Sequence, residues 1–499
     1  MAESSRLVAA PPTATAAAAP KASSGGEGGG GTSTDTIMNI VNIAFGAGML
    51  GLPYAIQGSG LVSGTVGLGV VLLWNFFCCS LLVELRKEVL IARAEAEKGT
   101  SLSADVGTPV SFAAIGSYAM GSVGTILVYI SVVVTLMGAA TAYFINANEL
   151  LRATHLYLNP GWSEETAMYV NTFIYMCLMY PLTCIKSLAP LSRLSLPAIV
   201  ALVVGFAVII KLGLEMYGWP PMEEVLSWDA LYIPQTFDGF STFFGVAAFS
   251  YGATIIIPEI QASYAKTEFT IWHPRNTEEF IDALKTSLWI IWSSYSVLGG
   301  VALLIYQQNG PVSDNIMSQL PSDSPAQEPL LFFITIATLF TYPLAMQPVS
   351  SIFEQALIKA GFGQASARVG GGDDQRYGAL TAAETGTDPR FPKEEGEDGE
   401  SHSSDELSPA LRYGLRAALV LFTGVCATSV PNFGVVVTLL GSFSVTLGSF
   451  VLPPLFHRVV FGERLSSAEK TADEVLCFIG AVTCVFTTTT TALGVLRGE

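Results

Sequence analysis

Long apolar runs of about twenty residues recur along most of the chain. Between Asp35 and Glu84, 48 consecutive residues contain no Asp, Glu, Lys or Arg. At 1.5 Å per residue they would form about 70 Å of helix, whereas one crossing of the membrane hydrocarbon takes about 30 Å. The stretch therefore predicts two membrane-spanning helices, most simply joined by a turn at Gly58-Ser59-Gly60.

The same pattern predicts eleven membrane spans in the whole chain. They run over Thr36 to Gln57, Leu61 to Val83, Gly121 to Asn148, Ala167 to Ile185, Leu191 to Leu214, Phe237 to Tyr264, Leu284 to Tyr306, Leu330 to Leu357, Leu411 to Ser429, Phe433 to Phe456 and Val475 to Leu496. The first five occupy residues 35–214, the next five occupy residues 235–457, and the eleventh occupies residues 475–496. The predicted fold class is an all-α integral membrane protein.

Basic residues favour one orientation of these spans. With a cytoplasmic N-terminus, 21 of the 24 Lys and Arg residues fall in cytoplasmic segments, and only Arg152, Lys211 and Arg497 fall at external ends. Such an excess of Lys and Arg on the cytoplasmic side is typical of membrane proteins. We therefore expect the N-terminus in the cytoplasm, with the protein in the plasma membrane or in a vacuolar or lysosomal membrane.

Composition supports the membrane assignment and shows a cluster of acidic residues in one segment. Hydrophobic residues make up 51% of the chain and charged residues only 13%, about half the share of a soluble domain. The net charge is -17, and the segment from Gly361 to Ala410 holds 11 of the 41 acidic residues but only 4 of the 24 Lys and Arg residues. Residues 361–410 are predicted to form a disordered acidic cytoplasmic loop, and residues 1–34 a disordered cytoplasmic tail. Both segments are candidates for binding cytoplasmic regulators, and no nucleic-acid partner is expected.

No sequence motif indicates catalysis, a metal site or a cofactor. The seven cysteines lie in apolar segments without paired spacing, so they read as small core residues. The chain has no HExxH, GxSxG, Walker or CxxC motif, and its four histidines lie outside the predicted spans or at their ends. We therefore predict that the protein is not an enzyme and that its partners are the lipid bilayer and a small transported molecule.

The segment "NIAFGAGMLGLPYA", Asn42 to Ala55, carries glycine and proline inside a predicted span. Glycine costs about 1 kcal/mol and proline about 3 kcal/mol relative to alanine in a helix interior. A broken helix survives in a bilayer only where it is buried in protein or lines a polar cavity. Unwinding at Gly46, Ala47 and Gly48 would expose amide groups that can hold a carboxylate. The alternative is close helix packing through small residues.

A second interruption opens the sixth span. "FGVAAFSYGATIIIPEIQ", Phe244 to Gln261, contains Gly245, Gly252 and Pro258 in an apolar run. Many secondary transporters place their site between two inverted repeats, at discontinuous helices in corresponding positions. Two groups of five spans, each opening with an interrupted helix, fit that architecture, with the eleventh span as an addition.

These segments also resemble a known family. "NIVNIAFGAGMLGLPYA" resembles the first helix of the amino acid/auxin permease family, and "YGATIIIPEIQASYAK" resembles the sixth helix of its plant lysine/histidine transporters and amino acid permeases. "KSLAPLSRLSLPAIVAL" and "VPNFGVVVTLLGSFSVTLGSFVLPPLFH" extend the likeness, which covers Thr36 to about Phe461 except for the acidic loop. The resemblance implies the leucine-transporter fold, a 5+5 inverted repeat plus one helix, and ion-coupled uptake of amino acids.

The resemblance also implies roles for individual residues. Backbone amides of Gly46, Ala47 and Gly48 would bind the substrate carboxylate. The amino group and side chain of the substrate would face the segment Phe249, Ser250, Tyr251 and Gly252. Asn42 matches an asparagine of the sodium site in the sodium-coupled branch, with Thr338 or Thr341 as possible partners. Glu259-Ile260-Gln261 instead matches the proton-coupled plant branch, although Pro258 replaces the aliphatic residue usual there.

Ionisable groups at membrane depth are functional candidates because burying their charge in lipid is costly. Glu259 and Glu354 are the best placed to load and release a proton. The structural alternatives are that Glu259 caps its helix or pairs with Lys266, and that Glu354 is an interfacial residue. Asn42 could equally form an interhelical hydrogen bond without any ion.

Together these features predict a secondary active amino acid transporter, with protons favoured over sodium as the coupling ion. A sodium-coupled transporter remains an alternative, as does an amino acid sensor with little flux that uses the same pocket. A channel would be expected to show charged rings or repeated filter carbonyls, and neither is seen in the sequence.

Overall fold

The computed structural model describes residues 33–97, 110–153, 161–184, 195–221, 223, 225, 236–264, 274–319, 327–365, 405–430 and 432–497. Within these residues the architecture is helical, with one short pair of strands. The α-helices are α1 (Ser33–Ala44), α2 (Leu52–Ser59), α3 (Leu61–Glu97), α4 (Phe112–Ala153), α5 (Glu164–Thr183), α6 (Ser195–Tyr217), α7 (Phe237–Ser250), α8 (Ile257–Tyr264), α9 (Pro274–Tyr306), α10 (Gln327–Leu357), α11 (Pro409–Ser429), α12 (Phe433–Leu440), α13 (Leu452–Phe461) and α14 (Ser467–Arg497).

Every predicted span overlaps a helix or a pair of helices in this set. Among the described residues, seven helices are long and apolar enough to cross a membrane, and the bent pair α1 and α2 would make an eighth span. The protein is therefore a multi-pass helical membrane protein. The count of eleven crossings and the 5+5 repeat stay predictions.

One predicted boundary coincides with a sharp kink. α4 contains a non-helical pair, Met120 and Gly121, and Gly121 has a φ of 59°. Glycine adopts this left-handed region without the Cβ clash that penalises other residues. The kink separates a short helix, residues 112–119, from the long remainder, which begins where the third span is predicted.

The two ends of the predicted acidic loop form a two-stranded sheet. β1 (Gly363–Ala365) pairs antiparallel with β2 (Asp405–Leu407), and Gln364 lies opposite Glu406. Residues 366–404 of the predicted loop lie outside the described residues, as does the predicted tail except for Ser33 and Thr34, which begin α1.

The core is built around α7, which packs against α2, α12 and the π-helical segment Gly441–Val445. Backbones approach closely at two glycine pairs. A Cβ at Gly239 would overlap the carbonyl oxygen of Gly58, and a Cβ at Gly441 would overlap that of Gly245. Small residues permit such contacts between membrane helices, which gain stability from close packing rather than from apolar burial.

Aromatic side chains fill the space beside this contact. The Trp74 ring of α3 lies 4.7 Å from the Phe450 ring and 6.4 Å from the Phe244 ring, measured between centroids. Aromatic pairs at such distances add about 0.5–1.5 kcal/mol beyond the area they bury. They fix α3, α7 and the segment Leu447–Val451 relative to one another.

We expect Gly441→Ala to destabilise the protein by about 1–3 kcal/mol, the usual cost of overpacking, because its Cβ would overlap the Gly245 carbonyl. Thermal unfolding of the purified protein in detergent measures the effect. Gly414→Ala is the matched control, since a Cβ at this helical position has no neighbour within 4 Å. Equal unfolding temperatures for the two variants would contradict the packing argument.

Candidate functional site

The first predicted span is interrupted where its glycines lie. α1 ends at Ala44, Gly46 is extended with φ of -119° and ψ of -157°, and a 3₁₀ segment, Ala47–Gly51, leads into α2. Pro53 stands in the first turn of α2, where its missing N–H would have had no helical partner. The two halves are bent by 49° relative to each other. The helix therefore breaks within the segment that the sequence singled out.

The backbone amides at this break differ in whether they donate a hydrogen bond within the protein. The Gly46 N–H donates to the Ala44 carbonyl at 2.8 Å, and the Met49 N–H donates to the Gly46 carbonyl at 3.2 Å. First-turn amides have no acceptor within their own helix, and in the 3₁₀ segment these belong to Ala47 and Gly48. Of the three amides proposed to bind a carboxylate, those of Ala47 and Gly48 are thus better suited than that of Gly46.

The sixth predicted span is interrupted in a similar way. α7 ends at Ser250, Tyr251 turns the chain, and a 3₁₀ segment, Gly252–Ile256, leads into α8. The Ser250 hydroxyl donates to the Val246 carbonyl at 2.8 Å. Each break therefore joins two helical halves through five residues of 3₁₀ helix.

The two breaks contact each other directly. A Cβ at Gly48 would lie 2.5 Å from the Ser250 hydroxyl and 3.0 Å from the Phe249 ring, so the α1 break reaches α7 only because this residue is glycine. A Cβ at Gly46 would lie 3.5 Å from the Tyr143 hydroxyl of α4. The structure thus brings the predicted residues of the first and sixth spans together and places a tyrosine beside them.

The remaining predicted residues of the α7 break lie on its other sides. Tyr251 is buried, and its ring packs edge-on against the Tyr295 ring with centroids 5.4 Å apart. A Cβ at Gly252 would lie 3.5 Å from Val445 of the tenth span. These two positions therefore contact α9 and the π-helical segment Gly441–Val445.

Two buried polar residues form hydrogen bonds with backbone groups at the breaks, and the sequence analysis did not single them out. The Tyr295 hydroxyl of α9 lies 2.5 Å from the Ala44 carbonyl and 2.9 Å from the Ser250 carbonyl, which are the last residues of α1 and α7. Asn75 of α3 donates to the Tyr251 carbonyl at 3.1 Å and to the Thr254 hydroxyl at 2.7 Å. Both side chains therefore supply partners for backbone groups at or near the interruptions.

A sequence signal existed for one of these residues but not for the other. Asn75 is an amide in the long uncharged stretch between Asp35 and Glu84, and polar side chains in such runs commonly form interhelical hydrogen bonds. Tyr295 lies in "IIWSSYSVLGG", where a tyrosine is ordinary. Only the packing of α9 against α1 gives it a role.

Glu259 lies at the far end of the broken sixth span. Its carboxylate accepts the Phe112 N–H at 3.2 Å and interacts electrostatically with buried Arg86. Phe112 is the first residue of α4, so the carboxylate caps that helix, and Lys266 lies outside the described residues. The contact joins α8 to the start of α4 and leaves a coupling role for Glu259 as a prediction.

Asn42 and Thr341 are both half-buried, Asn42 near the end of α1 and Thr341 within α10. Thr338 lies one helical turn before Thr341, and its side chain is outside the described set. Their proposed role as a sodium site stays a prediction.

Glu354 is held by two arginines of α11. Its carboxylate lies 3.7 Å from the Arg412 guanidinium and 3.3 Å from that of buried Arg416, which also donates to the Thr183 carbonyl. Removing one partner of a buried ion pair is costly because the other charge is left uncompensated. These contacts join α10 to α11, and a proton-carrying role for Glu354 stays a prediction.

A separate polar cavity of about 300 Å³ lies between α2, α7, α12 and α14. Its lining includes Tyr54, Asp238, Ser241 and Asp314. The Asp314 carboxylate accepts the Gly434 N–H at 2.8 Å and the Asn315 N–H at 3.0 Å, which fastens the start of α12 to the connection that follows α9. None of the predicted substrate residues lines this cavity, so it is distinct from the two breaks.

Several known proteins are similar in sequence to this chain, and two of the three relatives described below align with 93% of it. The family described as transmembrane amino acid transporter protein matches residues 29–493. Amino acid transporter ANT1 of Arabidopsis thaliana is 25% identical over 93% of this chain and 93% of its own length. Amino acid transporter AVT3A of the same plant is 26% identical over 93% and 90%. Vacuolar amino acid transporter 3 of Schizosaccharomyces pombe is 25% identical over 62% and 42%.

These relatives are named for transport rather than for catalysis, in agreement with the prediction of a non-enzymatic membrane protein. The family match also covers both broken helices and reaches into the eleventh predicted span. The resemblance seen in the sequence is therefore confirmed, and the chain belongs to the family of transmembrane amino acid transporter proteins.

Proposed function

We propose that this protein is a secondary active transporter that moves amino acids together with protons by alternating access. The observation that carries the proposal is the direct contact of two interrupted helices at Gly48 and Ser250. Discontinuous helices in a membrane are tolerated where they face a binding cavity. Membership of the family and the names of its relatives point to amino acids as the substrate class.

The substrate carboxylate would be held at the α1 break. The first-turn amides of Ala47 and Gly48 carry the positive end of the dipole of the second half-helix. The Tyr143 hydroxyl beside Gly46 supplies a further donor of the kind a carboxylate accepts. The amino group and the side chain of the substrate would lie against Phe249, Ser250, Tyr251 and Gly252. The α7 break would therefore determine which amino acids are accepted.

The transport cycle would use eleven spans arranged as two inverted repeats of five plus α14. Both repeats open with a span broken by a five-residue 3₁₀ segment, which is the correspondence expected of such repeats. Because Tyr295 contacts the ends of both α1 and α7, the first, sixth and seventh spans would move as one bundle against the remaining helices.

Protons would couple through Glu259, which connects the moving sixth span to the start of α4. Sodium coupling through Asn42, Thr338 and Thr341 is the alternative. A sensor with the same pocket is distinguished by the absence of net flux. The membrane would be the plasma membrane or a vacuolar membrane, the latter in line with the name of the fission yeast relative.

The proposed topology predicts a cytoplasmic N-terminus and an external C-terminus, because eleven crossings place the two ends on opposite sides. Epitope tags at each end of the chain can be tested for antibody access before and after membrane permeabilisation. In a vacuolar membrane, the C-terminal tag would face the lumen. Both tags on the same side would contradict the eleven-span arrangement.

Gly48→Val is expected to abolish amino acid uptake while membrane insertion is retained, because its Cβ would overlap the Ser250 hydroxyl. Uptake of a pooled set of radiolabelled amino acids into proteoliposomes measures the effect. Gly494→Val is the matched control, since a Cβ at this helical position meets open space. Normal uptake by Gly48→Val would remove the α1 break from the site.

Glu259→Gln is expected to abolish uptake driven by a pH gradient while leaving substrate exchange without a gradient. Glutamine keeps the oxygen that accepts the Phe112 N–H but cannot carry a proton. Uptake is measured in proteoliposomes under an imposed pH or sodium gradient, with Glu278→Gln, an exposed position at the start of α9, as control. Uptake driven only by sodium would support the sodium alternative, and no uptake under either gradient would favour a sensor.

A further inference from the structure

A histidine at the end of the tenth span lies between carboxylates from two other spans. The His457 Nδ1 atom of α13 is 2.7 Å from the Asp473 carboxylate of α14, and its Nε2 atom is 3.4 Å from the Glu84 carboxylate of α3. The side chains of His457 and Asp473 are 6% and 1% exposed, whereas that of Glu84 is 63% exposed. The imidazole therefore connects three spans at one end of the molecule.

The two contacts depend differently on the proton of the imidazole. An ionised carboxylate only accepts hydrogen bonds, so both ring nitrogens must carry a proton to serve both carboxylates. Loss of one proton leaves a neutral ring with a single N–H. The shorter contact, to buried Asp473, would retain it, because that carboxylate is shielded from water. The contact to Glu84 is therefore the one that proton release removes.

A second ion pair also joins α3 to the end of α13, but it does not titrate in the pH range in which a histidine does. The Arg464 guanidinium, just after α13, lies 2.7 Å from the carboxylate of Glu88. Glu84 and Glu88 are one helical turn apart on α3 and therefore face the same way. Arginine stays charged at all physiological pH values. The bridge between α3 and the end of α13 thus has one proton-dependent member and one permanent member.

The charges around His457 favour its protonated form. The charged and titratable groups that contact His457, or that contact one of its partners or neighbours, are Glu84, Glu88 and Cys78 on α3, Asp473, Glu469, Glu474 and Cys477 on α14, Tyr118 on α4, and Arg458 and Arg464 on its own side. Arg458 is itself paired with Glu474 at 3.0 Å. Carboxylates outnumber the basic groups, so a proton bound at His457 is compensated by nearby negative charge.

α3 also reaches the break in the sixth span. Asn75 of α3 donates to the Tyr251 carbonyl and to the Thr254 hydroxyl, while Glu84 lies more than two turns further along the same helix. A displacement of the Glu84 end of α3 would therefore act on the segment between α7 and α8. This connection gives the His457 cluster a mechanical route to the candidate substrate site.

We propose that His457 is the proton-binding site of a cytoplasmic gate in which the protonated imidazole holds α3 against α13. Release of the proton to the cytoplasm frees Glu84 and lets α3 move away, while Asp473 keeps α13 and α14 together. The gate rests on the proposed function for its orientation and for the motion of the bundle. The ligand is a proton, and the site is separate from Glu259.

The distance between α3 and α14 tests the gate without any substrate. Spin labels are attached at p-acetylphenylalanine introduced in place of Lys87 and Ala468, two exposed residues, which leaves the native cysteines untouched. Distance distributions are recorded in lipid nanodiscs from about pH 5.5 to about pH 8. In the otherwise unchanged protein, the ratio of long to short distances should rise with pH, by at most about tenfold per pH unit, the limit for one released proton.

Three variants separate the proton-dependent contact from general loosening. His457→Gln and Glu84→Ala should make the distance ratio independent of pH. Because Glu84 is largely exposed, its variant is expected to fold even if the buried histidine does not tolerate replacement. Arg464→Gln is the matched control, since it removes the neighbouring bridge and should lengthen distances at every pH while retaining the pH dependence.

The proposal is overturned by a pH-independent distance ratio in the unchanged protein, by an unaltered pH dependence in His457→Gln or Glu84→Ala, or by loss of the pH dependence in Arg464→Gln. The measurement involves neither an amino acid nor an ion gradient. A failure of the uptake experiments would therefore disprove the transport proposal without deciding the gate, and the distance measurement would still do so.

Discussion

The hydrocarbon of a bilayer offers no water to a backbone group, and the rest of this structure depends on how that constraint is met at two broken helices. Interrupting α1 after Ala44 and α7 after Ser250 leaves terminal carbonyls without helical partners. The Tyr295 hydroxyl lies within hydrogen-bond distance of both carbonyls, and Asn75 supplies the Tyr251 carbonyl that follows. The single hydroxyl proton can be donated to either carbonyl, so one side chain of α9 lies against the ends of both α1 and α7.

Glycine permits the contact between these breaks. A side chain at Gly48 would occupy the space of the Ser250 hydroxyl, and one at Gly441 would overlap the Gly245 carbonyl. The residues that weaken a helix are therefore the ones that allow its neighbours to approach. Backbone groups gathered in this way can recognise a carboxylate without a charged side chain, which would be costly to place at membrane depth.

Ionic contacts in the described residues concentrate towards the ends of the helices. Glu354 with Arg416 fastens α10 to α11 and, through the Thr183 carbonyl, to α5. His457 with Asp473 fastens α13 to α14. Paired charges at the ends of spans are cheaper than charges at the midplane because they remain close to water. The helix bundle is thus joined at its ends by ion pairs and in its middle by hydrogen bonds and close packing.

The sequence alone determined the membrane class, the family, the positions of the helices and the place of both interruptions. The family follows from the resemblance of whole segments to known relatives. The other features depend on apolar run length and on glycine and proline, which act locally and are therefore visible in one dimension. The helix in "NIAFGAGMLGLPYA" breaks as its composition predicts, and the kink at Gly121 falls at the predicted start of a span.

Only the tertiary structure decided which side chains support those interruptions. Tyr295 and Ala44 are separated by 251 residues, and a tyrosine in an apolar run gives no local sign of its acceptors. The same holds for His457, which the sequence placed at the end of a span without a role. Its surroundings consist of Glu84 and Asp473, carboxylates of two other spans. Hydrogen bonds and ion pairs between distant segments depend on three-dimensional proximity, which residue order along one chain does not specify.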